Sequence, residues 1–497
     1  MVTSDRPSKA GLVGGPWVVT GHAVPGGPDW VYVPVEVPAG VARLTVRCGY
    51  DRSAGVLDLG LFDPGGHGLG NRDGFRGWSG GARAEATVSG TDATPGYLAG
   101  PIRPGTWNVV LGPYLVPPEG LAWRVEVETS AGPPTRSDLA APPAGPPTRV
   151  DPAASAVLPG PGAPPRGPTQ GPGTPAHGPA QGPVVRDAPG WYRGDLHLHT
   201  VHSDGQYTPE EVVAGARAAG LDFVASTDHN TSAAHLAWEP LRPDLLVLAG
   251  EEVTTRAGHW SAVGLPPGWW VDWRYRPEDG ALPGIAREVR AQGALVTANH
   301  PFAPVPGGAW EFGYDEVDAL EVWNASLDEL ANDEAVAAWD GLLRAGRAVV
   351  AVGGSDAHRP PDPIGSPQTV VWAERLAAAD VIAGLRAGRC YLASSARVRA
   401  SLTAAVAGLE AGLGGRLGGR PDDPLSVRLR VRGVTGSVAS LHSQDGPVYE
   451  APVGMGRAVD VDWQAPLGNL SYLRAEVRRP GGELLALTNP IWFRASS

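Results

Sequence analysis

Between Ala131 and about Gly190 the chain reads "AGPPTRSDLAAPPAGPPTRVDPAAS" and continues to "GPVVRDAPG", a run of Pro, Gly and Ala with few large apolar side chains. Such a run cannot bury enough surface to offset the entropy of ordering it. The 497-residue chain therefore cannot fold around a single core, and a disordered Pro/Gly-rich linker over 131–189 is expected to join separately folded parts. A linker of about 55 residues would reach roughly 40 Å as a flexible coil and about 170 Å as polyproline II.

The flanks of this break differ in periodicity. Over 1–130, runs such as "DWVYVPVEVPAG", "ARLTVRCGY", "GVLDLGLFD" and "AWRVEVE" alternate apolar with polar residues between Gly/Pro/Asp turns. That pattern predicts an all-β, sandwich or jelly-roll-like module. Over 190–400, strand-like and helix-like segments alternate. "TPEEVVAGARAAG" (208–220) has capping-box spacing at Thr208 and Glu211, Pro209 in the first turn and Gly220 at its end, and it leads into the apolar run "LDFVAST". The same order recurs in "GIAREVRAQG" before "ALVTANH" and in "DEAVAAWDGLLRAG" before "RAVVAVGGSD", which predicts a parallel α/β barrel. From 401 to 497 the alternation returns to period two, predicting a C-terminal β domain.

Within the middle region, polar residues collect where predicted strands end. The first cluster is "GDLHLHTVHSDG", with His197, His199, His202 and Asp204. Asp228 and His229 follow "LDFVAST", Glu251 and Glu252 follow "DLLVLAG", and His259 opens "HWSAVGL". His300 follows "ALVTA", Glu321 and Asn324 lie in "EVWN", and Asp356 and His358 follow "RAVVAVGG". Eight of the twelve histidines fall between 197 and 358. C-terminal strand ends of a β/α barrel converge on one face. Imidazoles and carboxylates gathered there are the ligand set for Zn, Mn or Fe, and a carboxylate can bridge two cations.

The stretches "DLHLHTVHSDG", "STDHNT", "GEEVTTRAGHW", "ANHP", "EVWN" and "GGSDAH" resemble the PHP (polymerase and histidinol phosphatase) domain, in particular its carbaryl-hydrolase-like metallohydrolase branch, and "ALTNPIW" resembles the β tail of those proteins. The resemblance implies a distorted (β/α)7 barrel holding two or three divalent ions. It would place His197, His199 and Asp356 on the first ion with a bridging glutamate, His259 and His300 on the second with that same glutamate, and Asp204, His229 and His358 on a third. The family's Gly-x-Glu pattern favours Glu252 over Glu251 as the bridge, and by strand parity the two face opposite ways. Asp195 and Asp228 are expected to orient histidines by accepting the remote ring N–H. His202 and Arg359 are the candidates for substrate contact or acid–base work, Glu321 and Asn324 for shaping the mouth. Trp260, Trp269, Trp270, Trp310 and Trp323 could line an apolar pocket.

The implied function is a metal-dependent hydrolase whose metal-bridged hydroxide cleaves a phosphoester, or a carbamate, ester or amide, of a small molecule. The alternatives are a metal-holding binding protein without turnover and a PHP-type nuclease. A net charge of −12 and the lack of a basic stripe argue against nucleic acid as partner. Cys48 and Cys390 are too few for a disulfide framework. The sequence has neither the basic, apolar start of a secretory leader nor a run long enough to span a bilayer, so a soluble cytoplasmic protein is expected.

Overall fold

The computed structural model describes residues 16–131, 183–241, 244–454 and 458–495. Most of the expected linker lies outside them. The last residues assigned to it, however, are built into the fold: the Val185 N–H donates to Leu376 O (2.9 Å) and the Leu376 N–H donates to Arg186 O (2.8 Å). Backbone pairing of this kind needs no large side chain, so composition does not reveal it. The chain divides into two compact units, Met1–Ala180 and Gln181–Ser497.

The first unit contains β1 (Trp17–Ala23), β2 (Val31–Val37), β3 (Arg43–Tyr50), β4 (Val56–Phe62), β5 (Phe75–Gly80), β6 (Glu85–Ser89), β7 (Gly105–Leu115) and β8 (Leu121–Ser130). They form two antiparallel four-stranded sheets, ordered β1-β8-β3-β6 and β2-β7-β4-β5. In β2, Val33, Val35 and Val37 are buried while Pro34 and Glu36 are exposed, as period-two burial requires. Both sheets feed one core that includes Val35, Leu44, Leu59, Trp107 and Trp123.

The second unit begins with β9 (Gly190–Asp195), α1 (Pro209–Ala218), β10 (Phe223–Ser226), β11 (Leu246–Thr255) and β12 (Gly258–Val263). It continues through α2 (Leu282–Ala291), β13 (Leu295–Ala298), β14 (Ala319–Asn324), α3 (Glu329–Arg344) and β15 (Val350–Gly354), then β16 (Gln368–Ala373), α4 (Ala378–Arg386) and β17 (Cys390–Ala393). The helix α1 has the expected capping box between Thr208 and Glu211. The helix α3 starts before "DEAVAAWDGLLRAG" because Asp328 caps it, accepting from the Ala331 N–H at 2.9 Å.

Strands β15-β14-β13-β12-β11-β10-β9-β16 are neighbours in that order. The expectation of an all-parallel arrangement needs correction: β12 is antiparallel to both β11 and β13, and β16 is antiparallel to β9. Only Arg256 and Ala257 separate β11 from β12, far too few for the crossover a parallel pair needs. The segments that follow β15 and β9 come together in an isolated parallel bridge between Leu198 and Ala357. The Asp356 N–H donates to His197 O (2.7 Å) and the His199 N–H donates to Ala357 O (2.9 Å).

Below that junction, side chains rather than a neighbouring backbone satisfy the outer edge of β15. Thr369 Oγ1 accepts from the Gly353 N–H (3.0 Å) and donates to Gly353 O (2.8 Å). Asn489 accepts from the Ala351 N–H (2.8 Å) and donates to Ala351 O (2.9 Å).

Ten further strands follow: β18 (Arg399–Val406), β19 (Leu409–Ala411), β20 (Arg416–Gly419), β21 (Pro424–Arg432), β22 (Ser437–Ser443), β23 (Gly446–Val453), β24 (Ala458–Pro466), β25 (Tyr472–Arg478), β26 (Leu484–Thr488) and β27 (Ile491–Ala495). Hydrogen bonding passes without a break from β16 to β17 and on to β26, β25, β22 and β23. One core joins Val370 and Tyr391 to Leu402, Leu429 and Leu473. A buried polar network adds to this joint: Tyr472 Oη and Arg474 Nε both donate to Asp340 Oδ1 of α3 at 2.9 Å, and Arg474 also pairs with Glu476 at 2.5 Å.

Candidate metal centre

The hairpin β11–β12 sets the centre of the site. Residues directly opposite on an antiparallel pair share a face. Glu252 opposes Ser261 and Thr254 opposes His259, so Glu252 and His259 point the same way, while Glu251, Val253, Trp260 and Ala262 point the other way. Glu252 is fully buried and lies among five imidazoles. His197 Nε2 is 3.2 Å and His300 Nε2 3.1 Å from Glu252 Oε1, with His259 Nδ1 at 3.4 Å. His229 Nδ1 is 2.8 Å and His199 Nε2 3.5 Å from Oε2.

Glu251 occupies the opposite face, where its Oε2 accepts from the Val271 N–H at 3.0 Å. Trp260, on that face too, donates to Tyr275 Oη at 2.8 Å. Trp260 and Trp270 are thus packed parts of the fold on the back of the hairpin, and Trp310 is buried as well.

Asp356 stands on the other side of the first two histidines. Its Oδ1 is 3.0 Å from His199 Nε2 and 3.4 Å from His197 Nε2. Oδ2 accepts from Ser326 Oγ (2.7 Å) and Asn324 Nδ2 (3.2 Å). Asp204 Oδ1 lies 3.4 Å from His229 Nε2 and 3.5 Å from His358 Nε2. This last group faces solvent: the Asp204, His358 and His229 side chains are 46%, 29% and 19% exposed, against 0% for Glu252. The mouth of the site is therefore on the Asp204 side.

Four sets of donor atoms could each hold an ion: His199, Asp204, His229 and His358; His197, His199 and Glu252; His197, His300 and Glu321; and Glu252, His259 and His300. The fit to cations rests on orphaned atoms. His197 Nε2, both ring nitrogens of His259 and Glu252 Oε2 are buried without a hydrogen-bond partner. Several of them approach opposite charges within 3.5 Å yet are not angled toward one another. Buried polar atoms in native folds are normally satisfied, and lone pairs that converge on a common point are satisfied by a cation. His300 and Asp356 also carry left-handed backbone, φ 25 and 51, at the strand ends that present them. That conformation is uncommon outside glycine and clusters at functional sites.

Electrostatics separates the histidines. Burial pushes the His199 ring down to about 4, aided by His358 and His229, which favours its neutral form. Burial acts on His197 in the same direction, but Asp356, Glu252 and Glu321 outweigh it and hold the ring well above its ordinary range. The Glu252 and Asp356 carboxyls lie well below theirs: burial opposes ionisation, and the surrounding imidazoles, His197 foremost, prevail.

Asp195 and Asp228 do not take the roles expected of them. Asp195 accepts from the backbone N–H groups of His197 (3.2 Å), Ser355 (2.9 Å) and Gly365 (2.8 Å). Asp228 accepts from the Thr200 N–H, Thr200 Oγ1 and Ser203 Oγ. Both organise the loops that bear His197, His199, Asp204 and Asp356 and touch no imidazole of the cluster through these bonds. His202 is outside the four donor sets among the described residues, on the turn between His199 and Asp204. Arg359 is exposed, one residue past His358.

Glu321 was expected only at the rim but is buried in the centre. Its Oε1 is 3.1 Å from His197 Nδ1, and its Oε2 accepts from the His300 N–H (2.9 Å) and from Asn324 Nδ2 (3.1 Å). Asn299, which ends the run "ALVTA" beside His300 and had no role assigned to it, donates to Glu252 Oε1 (2.9 Å) and Ser261 Oγ (2.8 Å).

No protein-family model matches the chain. An uncharacterized protein of Methanocaldococcus jannaschii is 27% identical over 147 residues, which span 27% of this chain and 82% of that protein. Among solved structures, similarity extends to a two-domain Bacteroides vulgatus protein containing a predicted PHP-like metal-dependent phosphoesterase, at 18% identity and a TM-score of 0.37, over 64% of this chain and 99% of that one. It also extends to an amidohydrolase from Chromobacterium violaceum, at 18% identity and a TM-score of 0.26, over 35% of this chain and 89% of that one. Among the described residues, no helix is long and apolar enough to cross a membrane.

Proposed function

We propose that the protein is a PHP-type metal-dependent hydrolase acting on a phosphoester, or on a carbamate, ester or amide, of a small molecule. One observation carries this reading: a fully buried carboxylate, Glu252, stands among five imidazoles, several of whose nitrogens lack a hydrogen-bond partner. His197, His199, Asp356 and Glu252 would hold one divalent ion, Glu252, His259 and His300 a second, and Asp204, His229 and His358 a third. Zn, Mn and Fe suit this donor set. Bound there, the cations supply Lewis acidity and a water-derived nucleophile at neutral pH.

The chain's own contribution is position and charge. Glu252 and Asp356 remain ionised and offset the positive charge that the ions bring. The neutral His199 ring, stacked 4.0 Å from His358 and 4.3 Å from His229, is shared between the buried and exposed donor sets. Substrate enters on the Asp204 side, where Arg359 and His202 lie in the adjoining segments and are the side chains proposed to contact it.

The test pairs metal quantification on the purified chain with assays on p-nitrophenyl phosphate, bis(p-nitrophenyl) phosphate and a naphthyl carbamate. Turnover on one panel that disappears with chelator and in His197→Ala is the expected result. A fully loaded protein that is inert on every panel would replace this reading with a metal-holding binding protein.

A further inference from the structure

The hydrolase reading uses Glu252 as the bridge and leaves a second buried carboxylate, Glu321, without a role. Glu321 is 2% exposed and engages three partners on two other strand ends and its own. One is the His197 ring, from the segment after β9. Another is the backbone N–H of His300, two residues past the end of β13, with φ 25. The third is Asn324, which also donates to Asp356 Oδ2 at 3.2 Å. A break in the β14–β15 register makes this possible. Glu321 pairs with Val352 and Trp323 with Gly353, so one residue is extra and the strand bulges between them. Strict alternation would send residues three apart to opposite faces; the bulge turns Glu321 and Asn324 to the same one.

We propose that Glu321 is a positioning residue that couples the two buried ion positions rather than a ligand of either. Its carboxylate accepts the Nδ1–H of His197, which fixes the tautomer and leaves Nε2 to face Glu252 and Asp356. The same carboxylate holds the backbone of His300, whose Nε2 faces Glu252 from the other side. The spacing of one ligand on each ion thus depends on a single side chain. This inference rests on the hydrolase reading for the presence of ions but concerns only residues of this chain.

The experiment is a metal titration of the full-length apoprotein with Co(II), following visible absorption and bound cobalt per chain, for wild type, Glu321→Gln and Glu321→Asp. Both variants are expected to bind as many ions as wild type with affinity lowered roughly 10–100-fold, the usual effect of losing a carboxylate that orients a ligating histidine. Unchanged affinity in both would overturn the proposal, and so would the loss of one whole equivalent of cobalt with a changed spectrum, which would make Glu321 a ligand. If neither variant folds, the wild-type cobalt protein still decides. A paramagnetically shifted imidazole N–H that persists in deuterated buffer supports the anchored Nδ1–H of His197, and rapid loss of every such signal refutes it. A wild type that binds no cobalt would instead defeat the hydrolase reading itself.

Discussion

Two adjacent glutamates have opposite fates at the scale of single residues. Glu252 faces the imidazoles and Glu251 faces away, its carboxylate holding the Val271 N–H. Replacing each with glutamine separates their roles. Glu252→Gln is expected to lose bound metal and hydrolysis together, since it removes the charge that two ions would share. Glu251→Gln retains an oxygen able to accept the Val271 N–H, so metal content should stay at the wild-type value, with a loss of stability of about 1–2 kcal/mol. Elemental analysis beside a thermal melt distinguishes the two. Equal metal content in both variants would mean that strand parity does not select the ligand.

The decisive element is the β11–β12 hairpin, because its reversal carries His259 back to the rim where the parallel strands end. Its turn depends on Gly258, at φ 115, where a Cβ would stand 2.7 Å from Trp310 Cα and 2.9 Å from Ala309 O. Both obstacles are backbone and cannot swing aside. Gly258→Ala should therefore cost roughly 2–4 kcal/mol and reduce metal content through the displaced His259, read by melting and elemental analysis. Much of this was legible beforehand. The i, i+2 spacing of His197 and His199, the caps of α1 and the recurrence of acids and imidazoles after apolar runs are all local signals. Glu321 and Asn299 were not legible as central residues. Their roles come from a bulge in β14 and from contacts with β11 and β12, and neither leaves a mark on the residues nearby in sequence.

On the scale of the molecule, the C-terminal strands are structural parts of the site-bearing unit. Burial would raise the Glu476 carboxyl, but Arg474, His442 and Arg478 outweigh it and hold it down to about 2. A carboxyl depressed in the folded state stabilises the fold above its unfolded pKa, and the effect fades as pH falls through the folded value. The melting gap between wild type and Glu476→Gln should be widest above pH 5, on the order of 2–3 kcal/mol, and should close toward pH 2. A gap independent of pH would assign the loss to packing. Asn489→Ala should cost roughly 2–5 kcal/mol by leaving the Ala351 N–H and C=O unsatisfied, and should also weaken metal binding, because Ala351 lies on the strand that delivers Asp356. Asn489 is 138 residues downstream of Ala351. At ribosomal speeds of about 5–20 residues per second, the nascent chain waits on the order of 10 s between making that strand and making its last clamp. Throughout that interval β15, the strand that leads to Asp356, lacks the side chain that closes its outer edge at Ala351.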